Sequence, residues 1–121
     1  GQELTMFTGE VWELTGQEGK RKALVRTVVI VSADALGSIP LRVVVPLTPW
    51  QQKYARAPWI VRVPPVLNSG LEEPQAADAL QVRSVSISRL NRRLGELPVG
   101  ITAEIARAVG LVLALPLQSG L

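Results

Sequence analysis

Residues 26–50, RTVVIVSADALGSIPLRVVVPLTPW, constrain the fold more than any other stretch of the chain. Two apolar runs, Thr27–Ser32 and Leu41–Leu47, flank a connector containing Asp34, Gly37 and Pro40. Val and Ile are stiff at χ1 and suit a pleated surface, so both runs predict β-strands. Each is short and nearly continuous in apolar residues, the pattern of a strand buried on both faces. Antiparallel pairing of the two would bring Arg26, just before the first, beside Thr48, just after the second. A guanidinium and a hydroxyl together at the rim of a β-core form a candidate phosphate site.

The remaining elements follow in order. Gly1–Phe7 reads as a loose lead-in. Thr8–Leu14 (TGEVWEL) alternates, with Val11 and Glu13 on one face and Glu10, Trp12 and Leu14 on the other, and predicts a strand. Thr15–Lys22 is a Gly-rich, charged loop that would carry Lys20, Arg21 and Lys22 to the same rim as Arg26. Pro49–Pro58 reads as an exposed loop and Trp59–Val63 as a strand closed by Pro64 and Pro65. Val66–Ala77 reads as irregular. Ala79–Val85 alternates like a strand, and Ser86–Leu94 reads as a short helical turn. The last element is a helix with Ile101, Ile105, Ala108, Val109, Val112 and Leu115 at 3.6-residue spacing, Thr102 as a cap, and Pro116 as its end. Short strands without helical crossovers cannot be parallel. The expected fold is therefore mainly β (α+β): a single domain over residues 1–121, with five to seven antiparallel strands closing into a small barrel and a C-terminal helix.

Composition removes most chemistries. At 121 residues the chain is long enough for one hydrophobic core. It has no cysteine and no histidine, so thiol nucleophiles, serine–histidine pairs and zinc–thiolate sites are all excluded. Glu72, Glu73 and Asp78 are close in sequence, but nothing fixes their geometry and they read as a solvated loop. No metal and no cofactor are expected. The N-terminal residues lack a basic segment followed by an apolar one, which predicts no signal peptide and a cytoplasmic protein. Leu111–Leu117 is far shorter than a membrane span.

The net charge of +3 is unevenly spread. Residues 1–19 hold Glu3, Glu10, Glu13 and Glu18 and no basic residue. Lys20, Arg21, Lys22 and Arg26 then follow, and Arg83, Arg89, Arg92 and Arg93 form a second basic group. Such clusters suit a polyanion or an acidic protein partner, or are ordinary solvated side chains.

Several ordered pieces carry a resemblance. They are GEVW (Gly9–Trp12), an Arg opening an apolar strand (Arg26–Val31), SADALGSIPLRVVVPLTPW (Ser32–Trp50), PWIVRV (Pro58–Val63), NSGL (Asn68–Leu71) and ADALQVRSVS (Ala77–Ser86). Together they resemble the MazF/PemK family of toxins from type II toxin–antitoxin systems. The resemblance implies an SH3-like barrel, a homodimer, a cognate antitoxin, and sequence-specific, ribosome-independent cleavage of single-stranded RNA. The implied products carry a 2′,3′-cyclic phosphate and a 5′-hydroxyl. The family's catalytic Arg corresponds to Arg26 and its partner Thr or Ser to Thr48. Two positions depart from the pattern. Thr27 stands where a proline usually follows the Arg, and Leu80 stands where many members place an acid before Gln-x-Arg. Asp78, on the same face as Leu80 if the strand alternates there, is a possible auxiliary.

These residues fit chemistry in which RNA supplies its own nucleophile, the 2′-hydroxyl. A guanidinium is a poor base near neutral pH and acts instead as an electrostatic clamp on developing charge. Trp50, Tyr54 and Trp59 are candidates for stacking on unpaired bases, Trp59 with core or dimer-interface packing as its alternative, and Lys53, Arg56, Lys20, Arg21 and Lys22 are further RNA contacts. Arg83 either lines the RNA path or closes a structural ion pair. Arg89, Arg92 and Arg93 read as a solvated or partner-facing surface. The alternatives are a gyrase-inhibiting toxin of the same fold and a degenerate member that binds without cutting.

Overall fold

The computed structural model describes residues 6–16 and 25–116. Its elements are β1 (Glu10–Leu14), β2 (Arg26–Ile30), β3 (Leu41–Pro49), β4 (Ile60–Val63), β5 (Gln75–Asp78), β6 (Arg83–Ser86), β7 (Leu90–Glu96) and α1 (Val99–Val112), with short 3-10 turns between them. All pairings are antiparallel, and the hydrogen-bonded order is β4-β5-β3-β2-β1-β7, with β6 also on β3. The ladder is open, ending at β4 and β7. No described helix is long and apolar enough to cross a membrane.

The nearly continuous apolar runs have the predicted cause. Val29, Val45 and Leu47 face one way and join Val11, Val63, Ala77, Leu97 and Ile105 of α1 in one buried cluster. Their chain neighbours Val28 and Val44 face the other way and join Leu14, Ile30, Val85 and Leu90 in a second. Both faces of β2 and β3 are thus buried, and alternation has no polar side to show.

β3 is the strand the others are arranged around. β2 runs along one edge of it, pairing Thr27 to Ile30 with Leu47 to Val44. The other edge is divided. β6 covers it as far as Val44, opposite Arg83, and β5 resumes at Leu47, opposite Ala77. Pro46 lies in the gap. Proline has no N–H to give a ladder and is tolerated in a strand where a partner is missing.

The connector between β2 and β3 is held by a buried cation. Arg42 is 3% exposed. Its Nε donates to the Met6 carbonyl at 3.1 Å, Nη1 to those of Ile39 and Leu41 at 2.6 and 2.7 Å, and Nη2 to that of Gly37 at 2.8 Å. The predicted lead-in is partly tied down by the same contacts. The Phe7 N–H donates to the Glu10 carboxylate at 2.9 Å, and the Thr8 N–H to Asp34 at 2.6 Å.

Three expectations are corrected. The Ala79–Val85 strand forms only from Arg83 on, as β6: the Asp78 carboxylate accepts the Leu80 N–H at 3.0 Å and starts a 3-10 turn, Ala79–Gln81, in the first half of the expected strand. The segment expected to be irregular contains β5, whose buried Gln75, Ala76 and Ala77 carry too little β-propensity to be read as a strand. Ser86–Leu94 is helical only at Ile87–Arg89, and most of its remainder is β7. The charged run in β7 is held by β1: Arg92 meets Glu13 and Arg93 meets Glu10, both at 2.9 Å. Two acids of the first strand, Glu10 and Glu13, thus neutralise two cations of the second basic group, Arg92 and Arg93, across the β1–β7 ladder.

α1 begins at Val99, after Pro98. Thr102 is therefore buried inside the first turn, where its hydroxyl donates to the Pro98 carbonyl at 3.3 Å; it is not the cap. The helix ends at Val112, ahead of Pro116. Ala114 takes a φ of 57°, and the Leu115 N–H returns to the Gly110 carbonyl at 2.9 Å.

The Asn68–Gly70 turn is latched to β7. The Glu96 N–H donates to the Asn68 carbonyl at 2.9 Å. A Cβ on Gly95 would stand 2.3 Å from that same oxygen, and one on Gly70, at φ +77°, would stand 2.3 Å from the Leu94 carbonyl oxygen. Both obstacles are backbone and cannot rotate away. Gly95→Ala is expected to cost about 2 kcal/mol through overpacking, read as a lower urea midpoint with an unchanged slope.

Candidate active site

Arg26 and Thr48 lie inside the strands and not beyond their ends as the sequence suggested. Each stands one residue past the Thr27–Leu47 pair, so they share a row of the ladder, with Leu14 of β1 registered on the far side of Arg26. By alternation both side chains point to the face of Val28 and Pro46. Both residues are exposed. Arg26 forms no ion pair with any described carboxylate.

The gap at Pro46 shapes what surrounds Arg26. A small cleft of ≈ 20 Å³, room for about one water-sized group, opens beside it. Leu14, Val28, Val44 and Pro46 form its apolar part, and Arg26, Gln81 and Arg83 its polar part. Arg83 reaches it because β6 pairs Arg83 with Val44. Gln81 reaches it because the 3-10 turn occupies the gap between β5 and β6. Two guanidinium groups and an amide thus converge on a half-open apolar recess. Arg83 makes no ion pair with a described residue. No described carboxylate lines it.

The other candidates sort by position. Asp78 does not line this cleft and its carboxylate caps the 3-10 turn, while Leu80 is 57% exposed on that turn. Thr27, in the position of the usual proline, is half-buried and registered with Leu47 on one side and Glu13 on the other. The ladder on both sides of β2 thus holds the backbone at Arg26 without a proline ring. Trp50 and Tyr54 meet edge to face with centroids 5.9 Å apart, and the Lys53 ammonium lies 5.6 Å from the Tyr54 centroid. Arg56 is exposed at the end of the Gln52–Arg56 turn. Lys20, Arg21 and Lys22 lie outside the described residues. Glu72 and Glu73 are exposed, and no group of three acidic residues suited to a metal occurs among the described residues. Sequence reasoning missed Arg62 on β4, whose guanidinium carbon lies 5.9 Å from the Trp50 ring centroid; its only signal was a lone cation in an otherwise apolar strand.

Comparison with curated proteins finds no match. Among solved structures the chain is similar to an endoribonuclease in complex with its cognate antitoxin from a mycobacterial species, at 21% identity and a TM-score of 0.71, over 92% of this chain and 97% of that one. It is also similar to a chain of the MazE–MazF crystal structure (Form-III) from Deinococcus radiodurans, at 22% identity and a TM-score of 0.71, over 91% and 97%. The Mycobacterium tuberculosis toxin MazF-mt6 shares 21% identity and a TM-score of 0.65, over 88% and 99%. At these identities the likeness is one of fold, with nearly the full length of each chain aligned. A sequence model of one family, described as PemK-like, MazF-like toxin of type II toxin-antitoxin system, matches residues 8–113. That span runs from the approach to β1 through the end of α1, and the chain belongs to this toxin family.

Proposed function

We propose that this chain is an endoribonuclease toxin that cuts single-stranded RNA at short sequence motifs, independently of the ribosome and of any metal. The observation that carries the reading is Arg26, which pairs with no described carboxylate and stands in one row with Thr48, on the face where Arg83 and Gln81 converge. Membership of the toxin family supports it, as does similarity in fold to proteins described as endoribonucleases.

The chemistry needs little from the protein. The 2′-oxygen attacks the adjacent phosphorus, the bond from phosphorus to the 5′-oxygen breaks, and a 2′,3′-cyclic phosphate and a 5′-hydroxyl result. One proton leaves the 2′-hydroxyl to water and one reaches the 5′-oxygen. Negative charge grows on the phosphorane oxygens and the leaving oxygen, and Arg26 with the Thr48 hydroxyl stabilises it. Arg83 and Gln81 hold the phosphate from the opposite side of the cleft. With no described carboxylate in the lining to act as base, attack relies on stabilisation of the developing charge. A-form duplex holds the 2′-oxygen out of line with the leaving oxygen, so an unpaired strand is the substrate.

The protein acts in the cytoplasm as a single-domain homodimer, and a cognate antitoxin neutralises it by laying an acidic segment across the same cationic face. To test the chemistry, 5′-hydroxyl ends are mapped after digestion of total RNA. A mapped site is then remade with deoxyribose on the 5′ side of the scissile phosphate. Cleavage is expected to stop there and to continue at unmodified sites. Undiminished cleavage at the deoxyribose would rule out 2′-hydroxyl attack.

A further inference from the structure

The register that joins Arg26 to Thr48 continues across the sheet. Thr48 of β3 is opposite Ala76 of β5, and Ala76 is opposite Arg62 of β4. Directly opposed residues point to the same face, so Arg26, Thr48, Ala76 and Arg62 form one row across four strands. The row lies on the face opposite the helix-covered cluster, because Leu47, Ala77 and Val61, the neighbours of Thr48, Ala76 and Arg62, all belong to that cluster. Ala76 is buried and presents only a methyl group between the two polar ends. At about 4.8 Å per strand, the backbones at Arg26 and Arg62 stand about 14 Å apart.

Arg62 is exposed and makes no ion pair with a described residue. It is nevertheless held in place, with its guanidinium carbon 5.9 Å from the centroid of Trp50, two residues beyond Thr48. The Trp50 ring is braced in turn by Tyr54 at 5.9 Å, and its backbone N–H donates to the Pro74 carbonyl at 3.0 Å. An exposed cation packed on a braced aromatic, in line with a phosphate-binding Arg, has the chemistry that unpaired nucleic acid meets: phosphate oxygens accept from the guanidinium, and bases stack on aromatic rings and guanidinium planes.

We propose that Arg62, positioned by Trp50, forms a second nucleotide subsite that takes a phosphate flanking the scissile one. It orients the strand along the row so that the scissile phosphate arrives between Arg26 and Thr48. The proposal rests on the ribonuclease reading and adds to it a direction for the substrate: across the strands, from β2 towards β4.

The test compares wild type with Arg62→Gln and Trp50→Phe. Binding is measured by fluorescence anisotropy with a random-sequence single-stranded oligonucleotide built of 2′-deoxyribose, which cannot be cut by 2′-attack, and cleavage is measured with the corresponding RNA. Losing one phosphate contact on a single strand reduces the slope of log affinity against log salt by about 0.7. Arg62→Gln is expected to show that reduction, to bind about tenfold more weakly, and to raise KM while leaving kcat within about twofold. Trp50→Phe, which keeps an aromatic under the guanidinium, is expected to retain the wild-type salt slope. Wild-type cleavage with an unchanged slope and KM in Arg62→Gln would overturn the subsite and leave the nuclease standing. A slope that falls in Arg62→Gln while wild type releases no RNA products would keep the subsite and remove the nuclease. A change confined to binding of poly-glutamate, an acidic peptide probe, would overturn the RNA subsite and assign Arg62 to a protein partner.

Discussion

Arg26→Ala is expected to slow RNA cleavage by about 10²–10³-fold, the usual effect of removing one positioned donor from developing oxyanion charge. The loss should fall on kcat more than on KM, because the growing charge exists only in the transition state. Single-turnover cleavage of an oligonucleotide containing a mapped site is the measurement. The fold should not suffer. Arg26 is exposed and unpaired with any described residue, and its backbone is held by register with Leu14; surface changes of this kind stay within about 0.5 kcal/mol. An Arg26→Ala variant that cleaves at the wild-type rate would remove Arg26 from the chemistry.

The largest effect on stability is expected at Arg42, a residue that touches nothing in the active site. Arg42→Met keeps much of the apolar stem and removes the guanidinium, leaving the carbonyls of Met6, Gly37, Ile39 and Leu41 without their shared donor. Hydrogen bonds to a charged group contribute roughly 1.5–3 kcal/mol each, and water will recover some of these near the connector. A net loss of about 4 kcal/mol is the expected result, a large share of the roughly 5–15 kcal/mol that holds a domain together. Thermal unfolding followed by circular dichroism should show a fall of more than about 10 °C. Arg42→Lys should recover only part of it, because an ammonium cannot span the same fork of acceptors.

How much of this was legible in the sequence depended on how each element earns its stability. β2 and β3 are buried on both faces, so their Val and Ile runs declare them, and the pairing of Arg26 with Thr48 follows from that alone. The C-terminal helix was equally clear from its spacing. β5 and β7 were not. β5 is built from Gln, Ala and Asp and is buried by its neighbours, not by its own hydrophobicity. β7 carries Asn-Arg-Arg in its middle and stands because β1 supplies Glu10 and Glu13 across the ladder; no local pattern contains that information. The same non-locality hid Arg62, whose place beside the site exists only once β3, β5 and β4 are in register. Asp78 erred in the other direction: alternation put it on a shared face with Leu80, but a side-chain bond to the Leu80 N–H turned the chain before a strand could continue.

Pro46 has a consequence for how such a protein can change over generations. By denying an N–H at one point of β3, it divides the surroundings of the site between two kinds of support. Arg26 and Thr48 stand on the unbroken β2–β3 side, where register fixes their separation. Gln81 and the residues Gln52–Arg56 come from short 3-10 turns, where no strand pairing links them to Arg26 and Thr48. Length and composition there can drift without moving Arg26 relative to Thr48. On the proposed function, substitutions on that side are expected to change which RNA strands bind, and substitutions on the other to change whether a bound strand is cut.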